Sequence, residues 1–104
     1  MSIYHLAPAS GSSTKKFQVT LPDGRTVRFG ARGYSDYTLH KDPERQKRYV
    51  QRHQARENWT KSGIDTPGFW SRWILWNKPS LQASIRDTQT KFKIKIQQIK
   101  QQKV

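Results

Sequence analysis

The sequence predicts a small single α+β domain, an N-terminal β-hairpin followed by two or three helices, on three observations. Two alternating segments flank the turn residues Pro22-Asp23-Gly24, helix-start signals recur at Asp42-Pro43 and Thr66-Pro67, and a length of 104 residues suits one modest core. In the hairpin, Lys16-Phe17-Gln18-Val19-Thr20-Leu21 runs into Arg25-Thr26-Val27-Arg28-Phe29. A three-residue loop with Gly24 at positive φ sets Val19 opposite Val27 and Phe17 opposite Phe29, giving one apolar face. A slip of one residue would scatter that face.

Gly30 and Gly33 punctuate the exit from the hairpin, and residues 34–41 form a polar connector. Asp42 then serves as N-cap, Pro43 fits the first helical position and Glu44 sits at the positive end of the dipole, so a helix is expected to about Asn58. Thr66-Pro67 opens a short helix carrying Phe69, Trp70, Trp73, Ile74, Leu75 and Trp76 until Asn77-Lys78-Pro79 stops it. From Ser80, the residues Leu81, Ile85, Thr88, Phe92, Ile96 and Ile99 recur at helical spacing. That longer pattern favours helix, while the strict alternation of Lys91-Phe92-Lys93-Ile94-Lys95-Ile96 keeps a strand as the alternative. The expected core joins Phe17, Val19, Val27 and Phe29 to Tyr49, Phe69, Trp73 and Trp76. Residues 1–14, small and polar around Ala7-Pro8-Ala9-Ser10-Gly11-Ser12-Ser13, read as a flexible tail; 15–98 form the domain and 99–104 a basic C-terminal tail.

Charge narrows the class of partner. Lys and Arg number 20 against 7 Asp and Glu, a formal net charge of +13, and such self-repulsion is relieved by a polyanion. With no cysteine there is no disulfide framework and no thiolate zinc site, as expected for a reducing compartment. No apolar run is long enough to cross a bilayer, and the first residues lack the pattern of a signal peptide, so a protein of the cytoplasm or nucleus is expected, without a membrane role.

The helix after Asp42 places Arg45, Arg48, Arg52 and Arg56 on one side, at three- and four-residue steps. Stacked like charges repel, so the stripe must face solvent or phosphate, and the planar guanidinium fork suits phosphate oxygens. A second block, Lys91, Lys93, Lys95, Lys100 and Lys103, lies near the C-terminus, and a third, Lys15, Lys16, Arg25, Arg28 and Arg32, surrounds the hairpin. Charge spread this widely predicts sequence-independent, salt-sensitive binding, and no recognition-helix, zinc-finger or RNA-sheet signature argues for base reading. Trp70 and Trp73 are candidate stacking platforms for an unpaired base, set against the simpler reading that aromatics fill a core short of aliphatics. Asp36 with His40, and His53 with Glu57, have spacings suited to acid–base or metal chemistry. No further carboxylate pair, phosphate loop or nucleophile accompanies them, so caps and buried hydrogen bonds are the expected roles and neither metal nor cofactor is expected.

The run Gly33-Tyr34-Ser35-Asp36-Tyr37-Thr38-Leu39-His40-Lys41-Asp42, with Arg52-His53, Glu57-Asn58-Trp59, Thr60-Lys61-Ser62-Gly63-Ile64, Gly68-Phe69 and Leu75-Trp76-Asn77-Lys78-Pro79-Ser80-Leu81, resembles a family of short basic proteins. Its members are encoded by large nucleocytoplasmic DNA viruses such as the chlorella-virus, mimivirus and marseillevirus groups. The resemblance covers about residues 16–95 and implies a viral setting, in the virion and in the host cytoplasm or nucleus during infection; it carries no activity onto individual residues. Two jobs follow from that setting. The first is non-enzymatic binding or packaging of nucleic acid, DNA in preference to RNA; the second is a minor capsid or cement role on acidic capsid proteins. A metal-dependent nuclease is the remote alternative. The sequence is silent on oligomeric state.

Overall fold

The computed structural model describes residues 2–10 and 13–99. Its centre is a four-stranded sheet of order β3-β2-β1-β4, built from β1 (Ile3–Pro8), β2 (Lys15–Thr20), β3 (Thr26–Ala31) and β4 (Lys95–Gln98). The strands precede and bracket four short α-helices, so the α+β expectation holds. β2 and β3 form the expected hairpin in the expected register, with Phe17 opposite Phe29 and Val19 opposite Val27. Gly24 lies at φ +94, and the Leu21 amide donates to the Arg25 carbonyl at 2.8 Å across the mouth of the three-residue loop.

The N-terminal tail needs correction. Ile3–Pro8, expected to be flexible, form a central strand, antiparallel to β2 and parallel to β4. Tyr4 and Leu6 alternate inward and are buried, so two apolar side chains and strand pairing on both edges order a segment whose neighbours are small and polar. The domain therefore begins before residue 15.

Asp36 caps α1 (Tyr37–His40), a single turn that falls within the expected connector. Asp42 caps α2 (Pro43–His53), its carboxylate accepting from the Glu44 amide at 3.0 Å with Pro43 in the first turn. This helix stops five residues short of Asn58. Glu57 is drawn back to His53 and to the Trp59 indole, and Asn58 accepts from both the amide and the hydroxyl of Thr60, a local turn that competes with helical hydrogen bonding. After a 3-10 turn at Lys61–Gly63, Thr66 opens α3 (Pro67–Trp70), which runs on as a π-helical segment over Ser71–Leu75. α4 (Leu81–Phe92) starts at the Ser80 cap.

At Lys93 the backbone turns left-handed, φ +55, and the chain enters β4. Both readings of the C-terminal pattern are thus realised in succession: Lys91 and Phe92 close the helix, while Lys95 and Ile96 belong to a strand. The favoured continuous helix to Ile99 is wrong, because Ile94 and Ile96 bury more apolar surface on the sheet edge than a further helical turn of alternating lysines would. Ile99 still touches the sheet, its amide donating to the Leu6 carbonyl at 2.7 Å. Lys100 to Val104, most of the expected basic tail, lie outside the described residues.

The core joins the inner sheet face, Tyr4, Leu6, Val19, Leu21, Val27, Phe29 and Ile96, to Phe69, Trp70, Ile74, Leu75 and Ile85. Trp73 and Trp76, expected at its centre with Phe69, are only partly buried; Trp70 is fully enclosed instead. The wide π turn accounts for the change: the Trp76 amide bonds to the Ser71 carbonyl, five residues back, rotating later side chains off the α-helical face that Phe69, Trp73 and Trp76 would share. Gly30, at φ +78, lets the Leu75 methyl approach within 2.7 Å of where a Cβ would stand, locking β3 onto the π segment.

Candidate nucleic-acid interface

α2 is positioned from its buried side. Tyr49 stacks on Trp76 with ring centroids 4.4 Å apart and planes 3° from parallel, and His53 stacks on Tyr49 at 4.3 Å. Gln46 Nε2 donates to the carbonyls of Trp76 and Asn77 at 2.9 and 2.8 Å, fixing the helix axially. Burial raises the Tyr49 phenol far above its ordinary value, so the ring stays neutral in this stack. His40 continues the aromatic column against the other neighbour, 5.3 Å from Trp76, and its Nδ1 accepts from the Asp42 amide. Burial, and then the Arg45 charge, lower its pKa below 6.5.

With that face anchored, Arg45, Arg48 and Arg52 stand exposed along α2, and Arg56 follows, also exposed, in the turn beyond the helix end. Arg56 therefore extends the stripe in space without continuing its helical register. Among the described residues, Lys16 and Arg25 are the only lysine and arginine side chains in ion pairs. The carboxylates are largely committed elsewhere: Asp36 and Asp42 to caps, Glu57 to His53 and Trp59, Asp87 to the Asn77 amide. Among the described residues, no carboxylate lies within ion-pair distance of the arginine stripe.

The hairpin cations divide. Lys15 and Arg28 are exposed, Arg28 opposite Gln18 on the sheet face turned away from the core. Lys16 is not a phosphate contact in this arrangement: its ammonium lies 2.6 Å from Asp36, with the two side chains only 16% and 4% exposed. Arg32 is exposed, and its guanidinium donates to the carbonyls of Ser10 and Lys15 at 3.1 and 3.2 Å. Lys91, Lys93 and Lys95 are exposed around the end of α4 and β4, and Lys95, opposite Ile3, shares the open sheet face with Arg28 from the far edge. Among the described residues, no strand contains an acidic side chain. Exposed cations among the described residues thus stand on the arginine helix, on the open sheet face at Arg28 and Lys95, and around the end of α4 at Lys91 and Lys93.

The base-stacking candidates do not survive. Trp70 has no exposed surface and donates its indole N–H to the Ile64 carbonyl at 2.7 Å. Trp73 is overlaid by Arg72 at 4.5 Å and Lys91 at 5.0 Å and meets Phe92 edge-on, so its ring is already occupied. Arg72 escaped the sequence reading. It is largely buried between Trp59 and Trp73, donates to the Trp76 carbonyl at 2.7 Å, and burial lowers its pKa. Its place between two tryptophans depends on the π turn, which leaves no sequence signal.

Asp36 and His40 do not form an acid–base pair; Asp36 accepts from the Thr38 amide and hydroxyl and from Lys16, whereas His40 bonds Asp42. His53 and Glu57 do meet, Nδ1 to Oε2 at 3.0 Å, but the other Glu57 oxygen is held by Trp59. No group of three or more His, Asp or Glu side chains suited to a metal ion occurs among the described residues.

Comparison with known proteins bears on part of the chain. Residues 8–53 match the model of a family of unknown function, DUF5754. The matched stretch runs from the end of β1 through the hairpin and α1 to the last residue of α2, so it contains the hairpin and the arginine helix. No curated protein and no solved structure matches significantly.

Proposed function

We propose that this chain binds nucleic acid without catalysis, through sequence-independent contacts to phosphate, and that DNA is its usual partner. One observation carries the reading: Arg45, Arg48, Arg52 and Arg56 stand exposed on or just beyond a helix whose adjoining face is held by aromatic stacks, and no carboxylate among the described residues pairs with them. Guanidinium groups presented at three- and four-residue steps engage successive phosphates by bidentate hydrogen bonds. Lys15, Arg28, Arg32, Lys91, Lys93 and Lys95 widen the positive field. The resemblance to short basic proteins of large DNA viruses gives this reading a setting, genome binding or packaging in a virion, with docking on acidic capsid subunits as the other job such a surface suits.

The test is binding to a duplex of random sequence across a salt series. Affinity should fall steeply with salt and change little with sequence; a flat salt response rejects phosphate contact.

A further inference from the structure

An open groove of about 610 Å³ lies where β2 meets α1 and the start of α4, lined by none of the arginines of the stripe. Phe17, Leu39 and Leu81 give it apolar walls, and Leu39 is 63% exposed, an unusual position for leucine on a chain this polar. Three cations rim it against one carboxylate. Lys16 and Asp36 neutralise each other, which leaves the charges of Arg32 and Lys41 uncompensated.

Those two cations are held in place by neutral groups. Arg32 donates to the carbonyls of Ser10 and Lys15, and Lys41 donates to the carbonyls of Thr38 and Pro79. Backbone carbonyls fix a cation without cancelling its charge, so an incoming anion meets a preorganised rim and little side-chain freedom is lost on binding. An apolar floor beneath fixed positive charge complements an apolar side chain flanked by carboxylates.

We propose that this groove docks an extended acidic segment of a partner protein, with one aliphatic or aromatic side chain seated against Phe17, Leu39 and Leu81 and its neighbouring carboxylates on Arg32 and Lys41. The groove contains none of the four stripe arginines and shares only Arg32 with the wider positive field, so its peptide binding is tested independently of the nucleic-acid reading. Phe17 already stacks on Phe29 at 5.9 Å, and the remaining walls are aliphatic, which suits an apolar side chain better than a nucleobase.

The experiment is selection of a random dodecapeptide display library on the whole chain, followed by affinity measurement of the enriched synthetic peptides. Enriched peptides should combine an apolar residue with adjacent Asp or Glu. Leu39→Ser, and separately Arg32→Gln with Lys41→Gln, should each weaken them by about tenfold or more, while Arg45→Ala with Arg48→Ala and Arg52→Ala leaves them bound. Amide shifts in the unmodified protein should centre on residues 16–17, 38–41 and 80–81, a readout that needs no variant to fold. Four results overturn the proposal: no enrichment, equal binding to the groove variants, shifts confined to α2, or displacement of the peptide from the arginine variant by an oligothymidylate.

Discussion

Removing the arginines of α2 gives a sharp quantitative test, because each side chain is exposed and lacks an ion-pair partner. The variant is Arg45→Ala with Arg48→Ala and Arg52→Ala. For duplex DNA each phosphate contact adds about 0.9 to the slope of log affinity on log salt, so three lost contacts reduce that slope by about 2.7. Near physiological salt the same relation assigns each contact about 0.7 log units, and three together about 150-fold in affinity, or ~3 kcal/mol. Fluorescence anisotropy of a labelled duplex, titrated from about 50 to about 200 mM salt, reads slope and affinity together. Substitutions at exposed positions change folding stability by only about 0.5 kcal/mol each, so urea unfolding of the variant should stay close to that of the parent. A slope unchanged within error, in a variant that unfolds normally, would refute the assignment of these arginines to phosphate.

Three further outcomes follow from the packing. Gly30→Ala, at φ +78 with the Leu75 methyl 2.7 Å from the new carbon, should cost about 2–4 kcal/mol in urea unfolding, whereas Gly33→Ala, at φ +90 facing open space, should cost only about 1 kcal/mol. Trp70→Phe removes a fully buried indole and its bond to the Ile64 carbonyl, and calorimetry should register a loss of about 2–3 kcal/mol. Burial lowers the His40 pKa from its ordinary 6.5, so its contribution to stability is intact above that pH and is lost as pH falls from there through the lowered folded value. Unfolding midpoints measured across that window should fall with acidification, and His40→Phe should flatten the drop.

What could be read in the residues was set by signals that are local and redundant. The hairpin was legible because alternation, Gly24 and the pairing of like side chains all demand one register. The cap at Asp42 and the start at Thr66-Pro67 were legible because each side-chain oxygen has a nearby helical amide to satisfy. β1 was not, since Tyr4 and Leu6 acquire meaning only against Val19 and Ile96, far away in the chain. The break at Lys93 was hidden by a lysine in a left-handed conformation where glycine or asparagine would have announced it. At the site, the exposed arginines of α2 were visible from spacing, but the burial of Lys16 against Asp36 required the tertiary contact between β2 and α1.

The parallel pairing of β1 with β4 places Ile3 beside Lys95 and Tyr4 beside Ile96. A chain emerging from the ribosome therefore leaves one margin of β1 unpaired until β4, at residues 95–98, has been synthesised. Completion of the sheet is a late, non-local event, so folding should be slow for a protein of this size and open to pairing with a neighbouring chain along the waiting strand.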